Sequence, residues 1–107
     1  MHLNPRPPAS YLEILGEIRF VQSRYAESSL SFQEVLATNP GYTRARMWNA
    51  AALARSGSVD EAEWEAAELL ASSPGFTLER LEHAFPFKDP QKLDILMDGL
   101  RKAGLTD

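Results

Sequence analysis

The sequence predicts an all-α protein, a solenoid of antiparallel helix pairs with about six helices, closed by a C-terminal capping helix. Three observations carry this. First, Pro40-Gly41-Tyr42 returns 34 residues later as Pro74-Gly75-Phe76. Much of the intervening chain returns with it: Ser23 pairs with Gly57, Tyr25 with Val59, Glu27 with Glu61, Ser28 with Ala62, Glu34 with Glu68, Leu36 with Leu70 and Ala37 with Ala71. Second, apolar residues between these marks recur at three- and four-residue steps, the helical period. Third, proline and glycine fall mainly at segment ends, where they break or cap helices.

Each element follows from local chemistry. Pro7-Pro8 precedes a first helix over about residues 9–22, with Leu12, Ile14, Leu15, Ile18 and Phe20 as a broad apolar face. After a break at Ser23-Arg24, a second helix covers residues 25–38 and stops at Asn39-Pro40-Gly41. A third, over about residues 43–56, presents Met47, Trp48, Ala51 and Leu53 and ends on Gly57 as a C-cap. A fourth, over residues 59–72, presents Ala62, Ala66, Leu69 and Leu70 and closes at Ser73-Pro74-Gly75. Small residues (Gly16, Ser28, Ala50, Ala62) stand beside large ones (Phe32, Trp48), which allows close helix approach.

Beyond Phe76 the period fails. Thr77 caps a short helix that Pro86 interrupts, and Asp89-Pro90 starts the last helix, with Leu93, Leu96, Met97 and Leu100 as its apolar stripe. Arg101 and Lys102 suit the negative end of that helix's dipole. At the front, Asn4-Pro5 repeats the pattern of Asn39-Pro40 and Ser73-Pro74. The expected organisation is one helical domain over residues 1–107: the tail of a preceding repeat (1–8), repeat one (9–42), repeat two (43–76), a half repeat (77–87) and a capping helix (88–107). On this pattern the chain is the closing segment of a longer array.

Composition excludes several functions. A formal charge of -4 and a pI near 5.1 lack the basic footprint of a nucleic-acid binder. No apolar run reaches the roughly 18 residues that span a bilayer, and no secretory signal opens the chain, so a cytoplasmic location is expected. Without cysteine there is neither a disulfide framework nor a thiolate metal site. His2 and His83 lie far apart, and His83 is expected between helices.

The helix pairs resemble tetratricopeptide repeats through Leu15-Gly16, Tyr25, Ser28, Phe32 and Pro40, then Ala50, Leu53, Gly57, Ala62 and Pro74. The resemblance covers about residues 9–85 and implies a right-handed superhelix. Leu12, Arg19 and Arg46 depart from the family's large apolar or aromatic residues. The tail, from Pro74-Gly75-Phe76-Thr77-Leu78-Glu79-Arg80-Leu81 through Phe85-Pro86-Phe87-Lys88-Asp89-Pro90 to Gly99-Leu100-Arg101-Lys102-Ala103-Gly104-Leu105, is similar to the C-terminal repeats of bacterial class III adenylate/guanylate cyclases. Related tails occur on repeat-bearing transcription regulators. No cyclase metal or nucleotide residue carries over.

Candidate site residues are few. The acidic run Asp60, Glu61, Glu63, Glu65 and Glu68 reads as a solvated helix face, with a metal or a basic partner as the sharper alternative. Arg44, Arg46 and Arg55 on the preceding helix are available to pair with those acids. Glu13 and Glu17 share a helix face but have no catalytic partner, and they read as surface charge. The resemblance also implies that they replace the basic clamp with which some family members hold a C-terminal carboxylate. The candidate partner groove is Glu13, Glu17, Phe20, Met47, Trp48 and Arg55, chosen because inner helices line such a groove and aromatic, Met and Arg residues enrich interfaces. Phe20 and Met47 are read first as core. Trp64, between two glutamates, is read as a partly exposed aromatic.

These features predict a non-catalytic interaction module without cofactor or metal. Its partner is expected to be a protein or peptide, including the parent's own catalytic domain. The alternative is a structural spacer or dimerisation arm that self-associates. No nucleophile, base and orienting group come together to predict an enzyme.

Overall fold

The computed structural model describes residues 8–84 and 90–105. The expected repeat tail at 1–8 (Pro8 apart), the stretch from Phe85 to Asp89 and the Asp89 cap lie outside the described residues. Among those described there are six helices and no strand: α1 (Ala9–Val21), α2 (Tyr25–Thr38), α3 (Thr43–Arg55), α4 (Val59–Ser72), α5 (Leu78–Ala84) and α6 (Pro90–Lys102). Helices α3 and α4 begin and end 34 residues after α1 and α2.

Their ends explain this regularity. Helix α1 closes with Ser23 at φ 65° and α3 with Gly57 at φ 96°, and the same pair of bonds follows each. Arg24 N–H donates to Arg19 C=O and Ser23 N–H to Phe20 C=O; Ser58 N–H donates to Leu53 C=O and Gly57 N–H to Ala54 C=O. This is the Schellman arrangement, which satisfies the last carbonyls of a helix. Before Pro40 and Pro74, Asn39 and Ser73 sit at φ/ψ of -144°/72° and -138°/75°, so the chain leaves α2 and α4 alike. Each of these pairs is one period apart.

The core is centred on α3, where Ala45 and every residue from Met47 to Ala54 are buried, while Arg44, Arg46 and Arg55 reach carboxylates at its margins. Trp48 lies edge-on to Phe20 (5.1 Å) and stacks with Phe32 (6.3 Å). The pairs Ser28 with Gly16 and Phe32 with Gly16 lock α2 antiparallel to α1: Ser28 Oγ donates to Gly16 C=O at 2.7 Å, and a Cβ built on Gly16 would stand 2.7 Å from the Phe32 ring. Glycine at this position is what lets the two helices approach.

Thr77 caps α5 by accepting a hydrogen bond from Arg80 N–H, and Leu78 and Leu81 are buried. His83 is exposed, so it is not the inter-helix residue that the sequence suggested. Helix α6 packs along α3 in the same general direction, with Lys92 beside Trp48 and Asp98 beside Arg55. Gly99 meets the Ala51 backbone so closely that a Cβ there would lie 2.9 Å from Ala51 C=O. Leu96, Met97 and Leu100 are buried, and Gly104 (φ 101°) ends the helix in a further Schellman turn. The terminal helix thus covers the face that α1 and α3 share.

Candidate functional site

The residues of the expected groove do come together, but α6 lies over them. Phe20 and Trp48 are fully buried and Met47 nearly so. Arg55 is held by Asp98 of α6 and lies 5.0 Å from the Tyr25 ring. The apolar stripe of α6 occupies the place where a partner helix was expected.

Glu13 and Glu17 are not surface charges. They are 5% and 7% exposed and are clamped by cations from two other helices. Arg44 of α3 donates to Glu13 Oε1 at 2.5 Å and to Glu17 Oε2 at 3.1 Å, while Lys92 of α6 stands 3.0 Å from Glu17 Oε1. Burial pushes Glu13 up to about 7, assisted by the hydrogen bond to Glu17 and its negative charge, against the pull of Arg44. Burial acts on Glu17 in the same direction, but the hydrogen bond from Glu13 and the two cations outweigh it and hold Glu17 below the usual carboxylate range. A proton shared this way lets two carboxylates sit in one buried site. The cluster ties α1, α3 and α6 together, and a cavity of about 380 Å³ lined by Glu17, Ile18, Val21, Gln22 and Lys92 opens beside it.

A different face is open. Tyr11, Ile14, Ile18 and Val21 form a stripe along α1 and are between 43% and 56% exposed. One period on, these positions are Ala45, Trp48, Ala52 and Arg55 on α3. There Ala45, Trp48 and Ala52 are wholly buried, with Trp48 against Phe32 and Arg55 against Tyr25 of α2. The molecule therefore shows what covers this side of a repeat, namely the second helix of a preceding pair. Ile14 and Ile18 belong to the broad apolar face expected of α1, and a helical period does not say which part of such a face stays uncovered.

A second open feature lies between α2 and α4. A cavity of about 210 Å³ is lined by Gln33, Asn49, Leu53, Glu61, Trp64 and Glu65. Its floor is a buried chain of hydrogen bonds. Ser29 Oγ donates to Asn49 Oδ1 (2.6 Å), Asn49 Nδ2 to Glu65 Oε2 (2.6 Å), and Arg46 Nη1 to Glu65 Oε1 (2.6 Å). Glu65 is thus buried and paired, which corrects its assignment to the solvated acidic face, whereas Asp60, Glu61, Glu63 and Glu68 are exposed as expected. Of the three arginines expected to pair with the acidic run, Arg46 does so; Arg44 and Arg55 pair with Glu13, Glu17 and Asp98 instead. Trp64 forms the cavity's outer wall at 61% exposure, with the Arg46 guanidinium 5.9 Å from its ring.

Among the described residues no group of three His, Cys, Asp or Glu side chains could hold a metal ion, and no helix is long and apolar enough to cross a membrane. No protein-family model, no curated protein and no solved structure matches this chain.

Proposed function

We propose that this chain is a non-catalytic protein-interaction and scaffolding module of tetratricopeptide type, which docks a helix of a partner protein or of its own parent on the open side of α1. The observation that carries this is the stripe of Tyr11, Ile14, Ile18 and Val21. Four large apolar side chains stand in solvent at positions whose counterparts in α3 are covered by α2. An exposed contiguous apolar stripe of this kind marks an interaction surface, and a helix laid against it would read as anchors at three- and four-residue steps. The groove first expected, on the α1/α3 face, is filled by α6, which makes the α1 edge the better docking surface.

The tail's resemblance to cyclase C-terminal repeats supports a larger cytoplasmic signalling parent such as an adenylate or guanylate cyclase. On this reading catalysis belongs to that parent's other domain. The same stripe also supports the second reading, a spacer or dimerisation arm, because two copies could bury it mutually.

The test replaces Ile14 and Ile18 together with aspartate. Both side chains are about half exposed, so thermal unfolding should change little. Sedimentation of the wild-type chain across a wide concentration range distinguishes the two readings: self-association abolished in the variant favours the dimerisation arm. A monomeric wild type that binds the isolated upstream domain of its parent, with affinity lost in the variant, favours the docking module. Unchanged affinity and unchanged association state in the variant reject both.

A further inference from the structure

We infer that the cleft between α2 and α4 is a second binding site, independent of the α1 stripe, which takes an arginine side chain presented by a basic segment of a partner protein. Three properties of the cleft point to that chemistry.

The first is charge. Helix α4 carries Asp60, Glu61, Glu63, Glu65 and Glu68 and no basic residue, and α2 carries Glu27 and Glu34 and no basic residue. Arg46 is the basic side chain that reaches the cleft, and Glu65 neutralises it at 2.6 Å. Among the described residues no cation pairs with Glu61, which stands exposed at the mouth. The cleft therefore keeps an unbalanced negative charge.

The second is the aromatic wall. Trp64 presents its indole to solvent, and its ring face attracts cations, guanidinium most readily in proteins. The protein's own Arg46 already uses this combination, lying near the Trp64 ring while donating to the Glu65 carboxylate. The cleft thus contains an internal example of the ligand it suits, and the remaining exposed face of Trp64 lies next to the unpaired Glu61.

The third is a built floor. Asn49 is 2% exposed, and its amide is fixed at both ends, by Ser29 and by Glu65. Gln33 Nε2 donates to Ser29 Oγ at 2.8 Å, so its amide is tied to the same floor, and Gln33 and Glu61 both line the cleft. A planar guanidinium combines an aromatic wall with carboxylate and amide acceptors better than a lysine ammonium does, and Trp64, Glu61 and Gln33 line one cleft.

The test is a titration of the full chain with an acetylated, amidated peptide alternating arginine and alanine, followed by the two indole signals and the side-chain amides in NMR spectra. Trp64 and Gln33 should shift and saturate while buried Trp48 does not. Trp64→Ala, at an exposed position, should leave the fold intact and weaken binding about fivefold or more, and Glu61→Gln should act in the same direction. A matched lysine peptide should bind more weakly, a glutamate peptide should not bind, and added salt should loosen the arginine peptide. Equal binding to wild type and Trp64→Ala overturns the site, as does a response spread evenly over every acidic surface. Equal affinity for lysine and arginine peptides overturns the choice of arginine. Because Ile14 and Ile18 lie on another helix, their aspartate variant should bind this peptide normally, so failure of one surface is separable from failure of the other.

Discussion

Helices α1 and α3 hold the same place in their repeats and meet opposite fates. Trp48 at the centre of α3 is enclosed by Phe20, Phe32 and Lys92, while its counterpart Ile14 on α1 stands more than half exposed. Ala52 is fully buried, and its counterpart Ile18 is not. Helix α3 becomes core because α2, α4 and α6 all pack against it, whereas α1 packs mainly on α2. The apolar residues of α1 have the composition of a core and the surroundings of a surface, and that mismatch is the physical basis of the docking proposal.

The comparison is broken most directly by truncating the paired positions. Trp48→Ala should cost about 3–5 kcal/mol of stability, the range for emptying a large buried aromatic site, whereas Ile14→Ala should stay within about 0.5 kcal/mol in the isolated chain. Urea midpoints measure both, and similar losses would mean that α1 is covered in solution after all.

Next in size is the ion cluster that joins the two helices. Arg44→Ala leaves Glu13 and Glu17 with Lys92 alone, and the loss should be about 2–3 kcal/mol, somewhat below that for a wholly enclosed pair because Arg44 is partly exposed. A loss under about 0.5 kcal/mol would show that water screens the cluster.

A smaller effect appears in the pH dependence. The Glu13 carboxyl titrates near 7 in the folded chain against 4.5 for the unperturbed group, so the folded state holds this proton more tightly than the unfolded state does. Its stabilising contribution is therefore complete below about pH 4.5 and is lost as pH rises through about 7. Stability should fall across that window, and Glu13→Gln should flatten the fall. The same slope in both proteins would place the titration elsewhere. Glu17, held low, acts in the opposite sense and matters only as pH drops below the usual carboxylate range.

The smallest expected change sharpens the comparison at the helix ends. Ser23 adopts the left-handed conformation that Gly57 adopts one period later. Ser23→Gly should stabilise by about 0.5–1 kcal/mol, because a side chain resists this backbone and glycine does not. Gly57→Ala should destabilise by about 1 kcal/mol for the same reason. If Ser23→Gly destabilised the chain, the weak 3.5 Å hydrogen bond from Tyr25 to Ser23 would have to matter more than its length suggests.

Much of the architecture was legible in the sequence. The ends of α2 and α4 follow from Pro40 and Pro74, Gly57 caps α3 in the left-handed conformation, and the Thr77 cap is present; α1 and α3 each stop one residue short of expectation. The site was less legible. Phe20, Trp48 and Arg55 are buried or paired rather than open, because α6, which begins 35 residues after α3 ends, brings Lys92 to Trp48 and Asp98 to Arg55. Nothing in a local pattern says whether an amphipathic helix will close the end of a stack or lie across its face. Glu13 and Glu17 differ from the expected surface charges for the same reason, since a glutamate four residues from another has a solvated pattern until Arg44 and Lys92 arrive from elsewhere.

Where the helices begin and end, and their 34-residue period, follow from short-range chemistry written in the chain: backbone angles, missing donors and apolar periodicity. Which apolar faces are covered, which carboxylates are buried and which aromatics, Tyr11 and Trp64 among them, stay in solvent depends on how the helices pack. Burial is a property of the neighbours a residue acquires, and identical positions in two repeats acquire different ones.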